Sequence, residues 1–257
     1  MIPKVIHYCW FGRGEMPKLM KKCLKSWKKY CPDWQIVRWD EDTFDVNSTL
    51  WTKQAYEAKK YAFVSDYVRL KALNDMGGVY LDTDIQIIKP LEPFLEHEAF
   101  IGFENKDYVA SCLIGARQGH PVVSGWLDWY QDRSFVVDGQ QNWDPNVVML
   151  TRELKKRGLC VNNQFQVVDG MAIYPQTWFC PQNIEGENRS KSKNTVTIHH
   201  FTSTWRTEKG RRDMKRQNFY ATPFCKALEW LRYLPNRIIR KLFGDNAIDR
   251  LKEKLGK

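Results

Sequence analysis

The sequence predicts an α/β fold, a sheet flanked by helices, on three observations. Residues 5–39 read as strand, helix, strand. Residues 53–76 carry the longest helical pattern and stop at Gly77-Gly78. The short apolar run Val79-Tyr80-Leu81 follows at once and leads into Asp82-Thr83-Asp84. A strand–helix–strand opening is how a βαβ unit and its parallel sheet begin. The 257 residues suit one large domain with an appendage better than two full domains.

Taken in order, residues 5–10 (Val-Ile-His-Tyr-Cys-Trp) form the first strand, closed by Phe11-Gly12-Arg13-Gly14. Pro17 suits a first helical turn, and Leu19, Cys23, Trp27 and Tyr30 recur at helical spacing until Pro32. Residues 34–39 alternate apolar and polar, a second strand. Gly77-Gly78 is a C-terminal stop for the long helix. Residues 79–81 read as a buried strand, which Ile85-Gln86-Ile87-Ile88 continues beyond the aspartates. Further strands are expected at 99–103, 109–116 and 195–201, and helices at 121–132 and 145–157, the last opened by Asp144-Pro145. Residues 185–194 are a polar loop with no packing face, and no internal repeat is visible.

Apolar residues make up 43% and charged residues 27%, a folded rather than disordered composition. The net charge of +10 is unevenly placed: residues 206–257 hold fifteen Lys/Arg against six Asp/Glu, which leaves residues 1–205 close to neutral. A nearly neutral body is not a nucleic-acid-binding core, so no nucleic-acid partner is expected. The seven cysteines are scattered and contain no C-x-x-C pair, which argues against a zinc ribbon and for buried small hydrophobes in a reducing compartment. The first residues show no apolar segment with a cleavage site, and no run approaches 18 apolar residues. The expected location is cytoplasmic, or peripheral on the inner face of a membrane.

Asp82 and Asp84 lie two apart after an apolar strand, where extended backbone points both carboxylates one way. Ligands of open α/β sheets gather at the carboxyl ends of strands. Converging carboxylates repel unless a cation sits between them, and Mg²⁺ or Mn²⁺ takes such oxygens while bridging to substrate phosphates. On the preceding helix Ala62, Asp66, Arg69 and Leu73 share a stripe that is flanked by apolar side chains. Such a pair is either a buried ion pair locking helix to sheet, or a pair that holds a sugar or phosphate; both can hold together.

Three blocks of the chain resemble the DXD-containing glycosyltransferases of family 32 and, more distantly, the catalytic domains of clostridial glucosylating toxins. They are Ile2-Pro3-Lys4-Val5-Ile6-His7 with Trp10-Phe11-Gly12, then residues 62–69 (AFVSDYVR), then residues 77–84 (GGVYLDTD). The resemblance implies a GT-A type nucleotide-binding mixed sheet over residues 1–222 and a retaining reaction. It implies a nucleotide-sugar donor, with a UDP-hexose such as UDP-galactose favoured, and a saccharide or lipid-linked acceptor in surface glycan or glycolipid synthesis. Carried over by position, Asp66, Arg69 and Asp82 are the catalytic candidates and hold the donor together with Trp10, Ser203 and Trp205. Asp82, Asp84 and His200 are the metal candidates, for Mn²⁺ or Mg²⁺. In the run Ile198-His199-His200-Phe201-Thr202-Ser203-Thr204-Trp205 the two histidines face opposite ways in a strand, so one enters the site, and the family's spacing favours His200. Asn146 and Gln141 are guesses for the acceptor side, because the family's Gly-Pro is replaced here by Asp144-Pro145.

Two other classes remain: a metal-dependent nucleotidyl- or phosphotransferase, against which the lack of a G-x-x-x-x-G-K-[ST] loop counts, and a non-catalytic sugar- or membrane-binding module. Residues 223–257 read as a basic amphipathic helical tail. It either packs on the domain or lies on an anionic membrane surface.

Overall fold

In the computed structural model, residues 1–142, 145–181 and 192–202 are described. The basic tail, with Ser203 and Trp205, lies outside the described residues.

The chain opens as expected. Strand β1 (Val5–Cys9), helix α1 (Lys18–Tyr30) and strand β2 (Gln35–Trp39) form a parallel unit with Val5 opposite Gln35 and Cys9 opposite Trp39. Helix α1 buries Met20, Cys23 and Trp27, a stripe at helical spacing. Next come α2 (Leu50–Glu57), α3 (Tyr61–Met76), β3 (Gly78–Leu81) and β4 (Ile85–Ile87). After a short 3₁₀ turn at Glu92–Phe94 follow β5 (Ala99–Phe103), β6 (Val109–Ala116), α4 (Pro121–Asp128), the hairpin β7 (Val136–Val137) and β8 (Gln140–Gln141), and α5 (Asn146–Lys156). The described part ends with β9 (Gln166–Val168), β10 (Met171–Tyr174), α6 (Gln176–Phe179) and β11 (Thr197–His199).

Seven strands form one mixed sheet in the order β2-β1-β3-β6-β5-β10-β9, while β4 and β11 make a separate antiparallel pair. Alternate residues of each strand face opposite sides. Tyr80, Ile101 and Ile173 pack with α2, α3, α4 and α5 on one face. Val79, Leu81, Phe100 and Ala172 pack on the other, with α1, β4 and α6. The sheet is thus buried between helical layers, the mixed α/β architecture that the sequence predicts.

Two expectations need correction. The helix expected over 53–76 is two helices, because the chain turns at Lys59, which adopts φ +56°. The Lys60 N–H bonds the Ala55 carbonyl and the Lys59 N–H that of Tyr56, both at 2.8 Å, a Schellman end that here uses lysine in place of glycine. No glycine marks it in the sequence. The stretch 85–88 does not continue β3 either. The Ile85 N–H returns to the Asp82 carbonyl at 2.9 Å, so Asp82-Thr83-Asp84 forms a turn and β4 leaves for the second sheet.

Gly77-Gly78 is required where it stands. Both have positive φ (+66° and +115°), and an added Cβ would come within 2.7 Å of the Gln118 amide nitrogen and the Val5 carbonyl oxygen respectively. The pair ends α3 and starts β3 deep in the sheet, which fixes Asp66 on the helix against Asp82 on the strand end.

Candidate active site

The acidic turn sits at the carboxyl end of β3. There the Asp82 N–H donates to the Cys112 carbonyl of β6 (2.8 Å). Strand β1 runs parallel beside it with His7 opposite Tyr80, so the segment carrying Trp10 leaves the sheet at the same rim. Trp10 is half-buried, and its indole N–H is held by the Gly14 carbonyl at 2.7 Å.

Arg69 is the hub of the helix side. Its side chain is buried between Asp66 (Nη2 to Oδ1, 2.9 Å) and Asp82 (Nη2 to Oδ1, 3.4 Å). Its Nη1 donates to the Ser111 carbonyl (2.7 Å) and its Nε to the Ser65 carbonyl (3.3 Å). The Tyr80 ring lies 4.7 Å from the guanidinium, and the Tyr80 hydroxyl donates to Asp82 Oδ1 at 3.0 Å. An Arg offers five N–H donors; here four contacts are to the protein itself. Arg69 therefore acts by fixing Asp66 and Asp82 and compensating their charge.

Asp66 also accepts from Asn146 Nδ2 (2.8 Å), which ties the start of α5 to α3. Burial pushes the Asp66 carboxyl up to about 6; Arg69 pulls it down and Asp82 adds to the rise. Of the two acceptor-side candidates, the structure brings Asn146 to the site, while Gln141 lies in the β7–β8 hairpin opposite Val136.

Asp84 is held from the other side. Strand β11 pairs with β4 so that His199 stands opposite Ile85, next to the motif. His199 Nε2 lies 3.3 Å from Asp84 Oδ1. Asp84 Oδ2 accepts both the backbone N–H and the hydroxyl of Thr202, each at 2.8 Å. Burial works against the Asp84 carboxylate, but His199 and the two Thr202 donors outweigh it and hold its pKa well below the usual carboxylate range. The chain reaches Thr202 through Phe201, whose φ of +46° is rare for a bulky residue, and the Phe201 ring stacks on His199 at 3.8 Å.

Asp82, Asp84 and His199 offer ligand atoms within 4.8 Å of one another. Two carboxylates and an imidazole fit a divalent cation of the Mn²⁺ type. The histidine at this point is His199. His200 instead places Nε2 3.1 Å from Gln86 Oε1 and gives its backbone N–H to the Asp84 carbonyl. One end of β11 turns one histidine inward, and sequence spacing alone does not say which. Thr202 was not singled out by the sequence, and its signal, a threonine three residues past the inward strand position, is too common to read unaided.

Residues 17–101 match a family model described as the glycosyltransferase sugar-binding region containing the DXD motif. The curated relatives include inositol phosphoceramide mannosyltransferase 3 of Schizosaccharomyces pombe, 29% identical over 48% of this chain and 35% of that protein. Another is mannosyl phosphorylinositol ceramide synthase CSH1 of Saccharomyces cerevisiae, 26% identical over 47% of this chain and 33% of that one. The matched segment thus spans about a third of these relatives. Among solved structures, PaToxG glycosyltransferase aligns over 60% of this chain and 68% of its own at 18% identity and a TM-score of 0.45. The matched segment, which carries Asp66, Arg69, Asp82 and Asp84, is similar to the sugar-binding region of DXD-motif glycosyltransferases.

Proposed function

We propose that the protein is a metal-dependent, retaining hexosyltransferase that uses a nucleotide-sugar donor and a saccharide or lipid-linked acceptor. The observation that carries this reading is the convergence of Asp82, Asp84 and His199 at the carboxyl rim of the sheet, beside the Asp66–Arg69 pair. A divalent cation held by Asp82, Asp84 and His199 would neutralise the donor diphosphate and the charge that grows on it as the glycosidic bond breaks.

The chain's own residues then have separable tasks. Asp82 Oδ1 is occupied by Tyr80 and Arg69, which orients Oδ2. Asp66, held by Asn146 and Arg69 and ionised above about pH 6, is placed to accept from a donor-sugar hydroxyl. Trp10 stands at the same rim for the nucleobase. In retaining transfer the bond from the anomeric carbon to the diphosphate oxygen breaks and the bond to the acceptor oxygen forms on the same face. The acceptor proton passes to the departing phosphate oxygen, so no side-chain nucleophile is needed.

The donor is a nucleoside-diphosphate hexose. The motif reading favours a UDP-hexose such as UDP-galactose, whereas the fungal relatives are named as mannosyltransferases. Their names include ceramide lipids, which agrees with a lipid-linked acceptor and with the basic tail serving near an anionic surface, while Ser203 and Trp205 are kept as donor-binding candidates. Among the described residues no helix is long and apolar enough to cross a membrane.

The test is a donor panel, UDP-hexoses and GDP-mannose together, assayed for diphosphate release with Mn²⁺ and with chelator. One donor should turn over with Mn²⁺ only. Asp84→Asn should lower that turnover by at least about 10²-fold, the scale of losing a principal electrostatic group. It should also cost about 1–3 kcal/mol of stability, because the amide keeps only one acceptor oxygen and leaves either His199 or the Thr202 donors facing an NH₂ group. Equal turnover in chelator, or release of pyrophosphate from nucleoside triphosphates instead, sinks the reading.

A further inference from the structure

Behind the acidic turn two cysteines that the proposed transfer does not use meet the ring of His199, which it does use. Cys112 comes from the middle of β6, Cys180 from the residue that ends α6, and His199 from the end of β11. Their ligand atoms lie within 4.8 Å of one another. The two Sγ atoms are 3.4 Å apart, and the thiols are 1% and 0% exposed. His199 is 9% exposed. Its Nε2 faces Asp84, while its buried Nδ1 makes no well-formed hydrogen bond and the ring's other polar neighbour is the Cys112 thiol.

A buried ring nitrogen left with no partner better than a weakly donating thiol is uncommon and calls for an explanation. A metal supplies one. Two thiolates and one imidazole are a donor set for a thiophilic d¹⁰ cation, which Mg²⁺ or Mn²⁺ does not match. Two sulfurs about 2.3 Å from a tetrahedral ion stand roughly 3.8 Å apart, only a few tenths of an ångström beyond the spacing found here. The far side of the imidazole also fits, because a metal-ligating histidine characteristically gives its other N–H to a carboxylate, which fixes the tautomer. Asp84 occupies that position.

We infer that Cys112, Cys180 and His199 form a site for Zn²⁺ or a similar soft cation, distinct from the hard-cation site at Asp82 and Asp84 and joined to it through the His199 ring. Three protein ligands leave one position of a tetrahedral ion open. Binding releases the thiol protons of Cys112 and Cys180 to solvent and involves no oxidation. Both sites use His199, so a soft ion behind it converts the ring from a ligand of the hard cation into a fixed donor to Asp84.

The test uses the full chain, reduced with a phosphine and freed of metal, then equilibrated with Co²⁺ as a coloured substitute for Zn²⁺. A thiolate-to-cobalt charge-transfer band should saturate at stoichiometric metal and be displaced by Zn²⁺. Cys112→Ser and Cys180→Ser should each abolish the band, and Asp82→Asn should leave it intact. Because either serine variant disturbs a buried position, circular dichroism of each must match the parent, and Cys112→Ala and Cys180→Ala repeat the test at smaller size. No band in the parent, or a band that survives in folded Cys112 and Cys180 variants, overturns the site. The readout does not depend on sugar transfer, so it stands or falls apart from the proposed function.

Discussion

Asp66 and Asp84 are both buried carboxylates at one site, yet their surroundings push them in opposite directions. Asp84 takes a backbone N–H, a hydroxyl and an imidazole, three donors that all favour its charged form. Asp66 takes Arg69 and an amide, shares that guanidinium with Asp82, and rises to about 6. Burial raises both carboxyls, and the count of donors against competing anions decides whether that rise is outweighed, as at Asp84, or stands, as at Asp66. Asp84 is a permanent anion, as a cation ligand must be, whereas Asp66 titrates just below neutrality.

The harshest way to break this contrast is to remove the cation that Asp66 and Asp82 share. Arg69→Met keeps much of the volume but leaves two carboxylates without their compensating charge. The expected loss is about 3–5 kcal/mol, the usual consequence of removing one partner from a buried ion pair. That corresponds to a drop of roughly 10 °C or more in the thermal midpoint for a domain of this size. Asp66→Asn in the same chain should recover part of it. A midpoint within a degree or two of the parent would show that Arg69 is not the hub described here.

A gentler test separates the two carboxylates by pH. Asp66 has a folded pKa raised from its ordinary 3.8 to about 6, so the folded state holds a proton there that the unfolded chain has lost. Its contribution to stability is fully present below about pH 4 and is lost as pH rises through 6, about 3 kcal/mol in all. Asp84 has the opposite sign: its depressed pKa stabilises above the ordinary carboxylate value and is lost as pH falls below it. Urea unfolding across pH 4–7 should therefore show Asp66→Asn removing a downward slope that Asp84→Asn leaves in place. Parallel curves for parent and Asp66→Asn would refute the opposed environments.

The same contrast marks what the sequence could show. The sheet was legible wherever an element announced itself locally: β1, α1 and β2 by period, β3 by the apolar run between Gly77-Gly78 and Asp82. Asp66, Arg69, Asp82 and Asp84 lie within nineteen consecutive residues and could be read together. The Asp84 side is built from residues more than a hundred positions away, so nothing local selects His199 over His200; only the pairing of His199 with Ile85 does. The Cys112–Cys180 approach joins residues 68 apart with no shared motif. Strands β9 and β10 escaped for a different reason. They are three and four residues long, too short for a period to emerge. The lysine-ended α2 escaped because its stop carries no glycine.

The finest adjustment concerns Asn146. Among the described residues its amide is the one neutral side-chain donor to Asp66, placed there because α5 starts at this residue. Asn146→Ala removes a hydrogen bond that is stronger to the charged form, so the Asp66 pKa should rise further and its acid form persist closer to neutrality. The stability cost at neutral pH is about 0.5–1.5 kcal/mol, since Arg69 remains to hold the carboxylate. If Asp66 must be ionised to receive the donor sugar, kcat/KM for the active nucleotide sugar will fall at pH 6 and recover by pH 8, with the alkaline side of the profile unmoved. A residue that merely anchors α5 would lower the rate equally at every pH. The pH-dependence of the variant therefore distinguishes an amide that tunes Asp66 from one that only secures a helix.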